Sequence, residues 1–93
     1  MQPALRENGD ARVEVKVFVK EDCPGCAAAM RACEGISNVS VYDLSDIESL
    51  SVATSHGVRL TPSVVVVDSS GREIAGWRGE APDAAALRAT LAN

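Results

Sequence analysis

Val13-Glu14-Val15-Lys16-Val17-Phe18-Val19, then Cys23-Pro24-Gly25-Cys26, then Ala27-Ala28-Ala29-Met30-Arg31-Ala32: this succession decides the fold. The first run alternates and is rich in β-branched residues, which predicts a strand over 13–19. The alanine-rich run predicts a helix over 24–34, ended by Gly35. Two thiols therefore stand at a strand-to-helix junction, a place where cysteine does redox chemistry. Pro24 suits the first helical position, because its fixed φ matches the helix and its missing N–H has no helical partner there anyway. Cys23 then falls at the cap, where its side chain accepts from the amides of Gly25 and Cys26 at the positive end of the helix dipole. Both effects favour a thiolate. Cys26, one turn on, lies about 5–6 Å away, within the Cα separation that a disulfide tolerates.

Further along, Val39-Ser40-Val41-Tyr42-Asp43 reads as a second strand. Ser45-Asp46-Ile47-Glu48 fits a capping box with Ser45 as the cap, and Ile47, Leu50 and Thr54 follow at helical spacing up to Gly57. Ser63-Val64-Val65-Val66-Val67 is a continuous apolar run, as expected of a central strand covered on both faces. Asp68-Ser69-Ser70-Gly71 predicts a turn into a hairpin partner over 72–77. Pro82 and Asp83 open a last helix with Ala84, Leu87 and Leu91 on one side. The order is β-α-β-α-β-β-α. A parallel first pair and an antiparallel final hairpin require a four-stranded mixed α/β sheet flanked by helices, in an order that these signals leave open.

With 93 residues, the chain is expected to form one domain over 13–93 behind a flexible tail, 1–12. Only three residues are aromatic, so Val, Ala, Leu and Ile must build the core. A formal charge of −4 without clustered Lys and Arg argues against nucleic acid as a partner. Three cysteines are too few for a secreted disulfide framework. No apolar run reaches membrane-spanning length and the N-terminus lacks a leader's apolar stretch, so the expected location is cytoplasmic.

Element order, Cys23-Pro24-Gly25-Cys26 at the first strand–helix junction and Thr61-Pro62 before the third strand together resemble the thioredoxin/glutaredoxin superfamily. His56-Gly57-Val58-Arg59-Leu60-Thr61-Pro62 is similar to the thioredoxin stretch of aromatic, Gly, Ile, Arg, two residues and Pro, and Gly79 matches the glycine that lines the thioredoxin site. The resemblance runs from about residue 13 to the end. It implies a thiol-disulfide oxidoreductase in which Cys23 is the attacking nucleophile, Cys26 the resolving thiol and Pro62 a cis-proline facing them. Pro24, Gly25, Thr61, Pro62 and Gly79 would contact substrate, with the backbone of Thr61 pairing with the substrate chain. It implies no cofactor beyond the reversible Cys23–Cys26 disulfide and no metal. The expected partners are protein disulfides and a thioredoxin reductase-type flavoenzyme, with glutathione as an alternative, and the expected state is a monomer.

The chain departs from the family in two places. Pro24-Gly25 matches neither the Gly-Pro of thioredoxins nor the Pro-Tyr of glutaredoxins. Val17 stands where thioredoxins bury an aspartate that takes the resolving thiol's proton, so the base assisting Cys26 is unidentified. A glutathione-dependent glutaredoxin is a second reading, weakened by Glu80, which would repel a carboxylate. A third is a non-catalytic thiolate module that binds a metal or iron–sulfur cluster between two copies, or senses redox state. Cys33 lies about 10 Å along the helix from Cys26, too far to share a metal with it, and is read as a buried structural thiol. His56 is read as structural and Trp77 as a core or rim aromatic.

Overall fold

The computed structural model describes residues 13–92, so the tail predicted for 1–12 lies outside the described residues. Strand β1 (Val13–Val19) is followed by helix α1 (Cys26–Ala32), β2 (Val39–Asp43), α2 (Ile47–Ser55), β3 (Ser63–Asp68), β4 (Glu73–Arg78) and α3 (Ala84–Leu91). The strands form one sheet in the order β2-β1-β3-β4. β1 and β2 are parallel, whereas β1 with β3 and β3 with β4 are antiparallel, which gives the expected four-stranded mixed sheet flanked by helices.

The period of two sorts the valines between two cores. Val15 and Val17 of β1 and Val64 and Val66 of β3 pack with Ala29, Ala32 and Cys33 around α1 and with Leu87 of α3. Phe18, Val65 and Val67 face the other way and pack with Ala53 of α2 and with Val58. Both faces of β3 are thus covered, which is why its sequence is a continuous apolar run rather than an alternating one. Trp77 is half-buried against the first cluster, held there by β4 pairing with Val64.

Several local expectations are corrected. Helix α1 begins at Cys26 with Gly25 as its N-cap, not at Pro24 with Cys23 as the cap; the Cys26 N–H donates to the Cys23 carbonyl at 3.1 Å, so residues 23–26 form a tight turn ahead of the helix. Helix α2 is capped by Asp46, whose carboxylate accepts from the Ser49 N–H at 3.1 Å. Ser45 is unavailable for that role because its N–H and hydroxyl both donate to Asp43 at the end of β2. The buried side of α2 is Ala53, with Val52 beside it; Ile47 is 80% exposed and Leu50 46%. On α3, Leu87 is fully buried and Leu91 half-buried, but Ala84 is exposed. Helix α1 ends at Ala32, capped by Cys33, two residues short of the expected 34, and β4 is shifted by one residue from the expected 72–77; Asp83 caps α3, Gly57 follows α2 with φ +69°, and Asp68 with Gly71 makes the hairpin turn, as expected.

Candidate functional site: a dithiol against the Thr61-Pro62 loop

Because β1 runs antiparallel to β3, the end of β1 lies opposite the start of β3, with Phe18 pairing Ser63. The cysteine turn that follows β1 and the Thr61-Pro62 loop that precedes β3 are therefore delivered to the same end of the sheet. Cys23 and Cys26 are joined as a disulfide with a Cα separation of 5.4 Å. Cys26 is only 9% exposed, whereas Cys23 is half-buried and is the more accessible of the two. That asymmetry suits unequal roles, since access is one determinant of which sulfur takes part in exchange.

Thr61-Pro62 is a cis peptide, as the resemblance implied. The buried Pro62 ring lies directly against the cysteine turn: a β-carbon on Gly25 would stand 3.1 Å from Pro62 Cδ and 3.2 Å from Cγ. Gly25 is thus the point where the two loops touch. Gly79 joins them, donating its N–H to the Pro62 carbonyl at 2.9 Å; its φ of +80° and the neighbouring Leu60 side chain both disfavour any larger residue. Among the residues expected at the site, Gly25, Pro62 and Gly79 are in mutual reach of the dithiol turn and Thr61 is carried with them. Pro24 lies in the turn itself, exposed.

Two residues at this end have structural roles that the sequence reading did not assign them. Asp22 adopts φ 60°, turning the chain into Cys23. Its signal was its residue type, since aspartate enters the left-handed region more readily than most side chains. Ser63 is the only buried polar residue among the described residues, and its signal was a lone hydroxyl heading an apolar run.

The cluster beneath α1 is apolar. Val17 is fully buried in the cluster under α1, with no atom able to accept a proton. Cys33 is free, buried in that same cluster, and burial pushes its pKa up. His56 sits on the opposite, α2 face: its Nε2 lies 3.0 Å from Lys16 Nζ, its carbonyl accepts from Arg78 at 2.7 Å, and its ring tilts against Phe18. Burial and then the Lys16 charge hold its pKa below the ordinary imidazole value. Arg78 also pairs with Glu73 at 2.7 Å. Among the described residues, no three His, Cys, Asp or Glu side chains are grouped to hold a metal ion, and no helix is long and apolar enough to cross a membrane.

No protein-family model matches the sequence, and a search of curated proteins finds no match. Solved structures do match. A thioredoxin from Malassezia sympodialis is 25% identical with a TM-score of 0.62, covering 87% of this chain and 73% of its own. A thioredoxin from Thermus thermophilus is 22% identical with a TM-score of 0.63, over 88% of this chain and 72% of its own. A thioredoxin mutant from Halobacterium salinarum is 22% identical with a TM-score of 0.71, over 98% and 82%. What the sequence resemblance implied about the fold is met: the chain has a thioredoxin-like fold, with a Cys-x-x-Cys disulfide at its first strand–helix junction.

Proposed function

We propose that this chain is a thiol-disulfide oxidoreductase that reduces disulfides in other proteins, with Cys23 as nucleophile and Cys26 as resolving thiol. One observation carries the reading: a Cys-x-x-Cys disulfide, its first cysteine the more accessible, packed against the loop that would receive substrate. In the reduced protein the Cys23 thiolate attacks one substrate sulfur, forming a mixed disulfide and expelling the other substrate sulfur as a thiolate. Cys26 loses its proton and attacks the Cys23 sulfur, closing the Cys23–Cys26 disulfide and expelling the second substrate thiolate. The dithiol gives up two electrons and two protons, and the substrate gains them as two thiols. With valine at 17, the proton of Cys26 passes to solvent or to a departing substrate thiolate rather than to a buried carboxylate.

Two electrons from a flavin-dependent reductase of the thioredoxin reductase class would restore the dithiol, and a reducing cytoplasm is the setting this chemistry fits. Cys26→Ser tests the reading, since it stops the second attack and should leave substrate bound covalently to Cys23. If no dithiothreitol-sensitive adduct forms with any protein disulfide, the reading fails. The same variant separates the glutathione-dependent alternative, which needs only the first cysteine and would keep its activity.

A further inference from the structure

The geometry points to Ser63 as a positioning residue that sets the backbone on which a substrate chain docks, an inference that rests on the oxidoreductase reading above. Ser63 opens β3, pairs with Phe18 on one side and Arg78 on the other, and has no exposed surface. A buried hydroxyl without partners is costly, and this one uses its capacity on two backbone groups. Its Oγ donates to the Leu60 carbonyl at 2.7 Å and accepts from the Gly79 N–H at 3.2 Å. The same Gly79 N–H also reaches the Pro62 carbonyl at 2.9 Å. One hydroxyl therefore ties together both ends of the loop wall: the carbonyl just before Thr61-Pro62 and the amide of the β4-end turn. The Leu60 side chain closes against Gly79 beside it.

The clasp fixes the peptide plane between Leu60 and Thr61, next to the Pro62 ring that abuts Gly25 in the dithiol turn. An extended substrate chain that pairs with the Thr61 backbone needs that plane held, because strand pairing depends on the direction of each N–H and C=O. A small disulfide that reaches Cys23 without pairing does not need it. Ser63 thus separates two tasks at one site: recognition of a polypeptide and attack on sulfur.

The test measures mixed-disulfide formation by the Cys26→Ser protein, with and without Ser63→Ala, on a protein disulfide (insulin) and on a small one (hydroxyethyl disulfide). Ser63→Ala should slow the protein reaction about 2- to 10-fold, the range set by one ordinary hydrogen bond, and leave the small-disulfide rate within about twofold. Ser63→Thr, which keeps the hydroxyl, should restore the protein rate. Equal slowing of both substrates, or no slowing of the protein substrate, overturns the assignment. Deuterium exchange supplies a readout independent of activity and of whether the threonine folds. In Ser63→Ala the Gly79 amide keeps its bond to the Pro62 carbonyl but should exchange measurably faster, while those of Val65 and Val66 keep their protection; if Val65 and Val66 lose protection as well, the effect is on the sheet and the assignment is overturned. If the parent protein reacts with neither disulfide, the oxidoreductase reading fails and the docking role with it, while exchange at Gly79 still reports whether the clasp exists.

Discussion

Replacing Gly25 by alanine should weaken the protein at a point where the cysteine turn and the Thr61-Pro62 loop meet. Gly25 lies at φ −86° and ψ −6°, the third position of a type I turn, whose negative φ an alanine also adopts, so the substitution brings no left-handed strain. Alanine even gains from a stiffer unfolded chain, by about 0.5–1 kcal/mol. Against this, its β-carbon would stand 3.1 and 3.2 Å from the Pro62 ring, where ordinary contact begins at 3.4 Å, and the rigid ring must retreat by a few tenths of an ångström. Overpacking of a close contact costs about 1–3 kcal/mol, so the net loss should be about 1 kcal/mol. The assay is guanidinium unfolding of the oxidised protein, in which the midpoint should fall with little change in slope. Gly25→Val should fall further, and trapping of substrate by Cys26→Ser should slow in either background. A Gly25→Ala protein as stable as the parent would refute the reasoning, since Pro62 would then not be pressed against the turn.

Leu87 has no exposed surface and fills the space under α3, so Leu87→Ala should cost about 2–5 kcal/mol by chemical unfolding. A loss below half of that range would mean that α3 closes down over the gap. The oxidised protein has one free thiol, the buried Cys33, which should react with Ellman's reagent only on unfolding; rapid native reactivity would contradict its burial. The raised pKa of Cys33 means that its contribution to stability is full below the ordinary thiol range and is lost as pH rises through the folded value. For His56 the shift is downward, caused by burial first and by Lys16 next, with Arg78 adding to it and Glu73 and Glu14 opposing. The unfolded state then takes up its proton first, so this stability is present above the ordinary imidazole value of about 6.5 and is lost as pH falls toward the folded value. An NMR titration of the ring should show the depressed midpoint, and His56→Gln should flatten the acid dependence; a midpoint at or above the ordinary value contradicts the Lys16 contact.

The elements were legible because their signals are local. The alternation of β1, the apolar run of β3, the glycines after α2 and in the hairpin turn, and Asp83 before α3 each act within a few residues. Misreadings arose where two groups competed for one role. Ser45 and Asp46 both suit a cap, and Asp43 decided between them by engaging Ser45. Cys23 was a reasonable cap in isolation, but in the oxidised protein its sulfur is bonded to Cys26 and the turn closes on its carbonyl. Ile47 and Leu50 have helical spacing, yet Ala53 faces the core because Phe18 and Val58 set which side of α2 fits closely. The dithiol could be found from spacing alone. Ser63 and the Gly25–Pro62 contact could not, because they exist only once distant strands have paired.

The antiparallel register of β1 and β3 also governs when, along the growing polypeptide, the site comes into being. Both cysteines are made long before Pro62, and until β3 docks beside β1 they are a dithiol in a short turn with no wall facing them. A fragment ending at Asp43 would keep the whole tetrapeptide and behave as a simple peptide dithiol, open to whatever oxidant it meets. The wall that faces the dithiol therefore belongs to the completed sheet, and the chain acquires it only when its second half is in place.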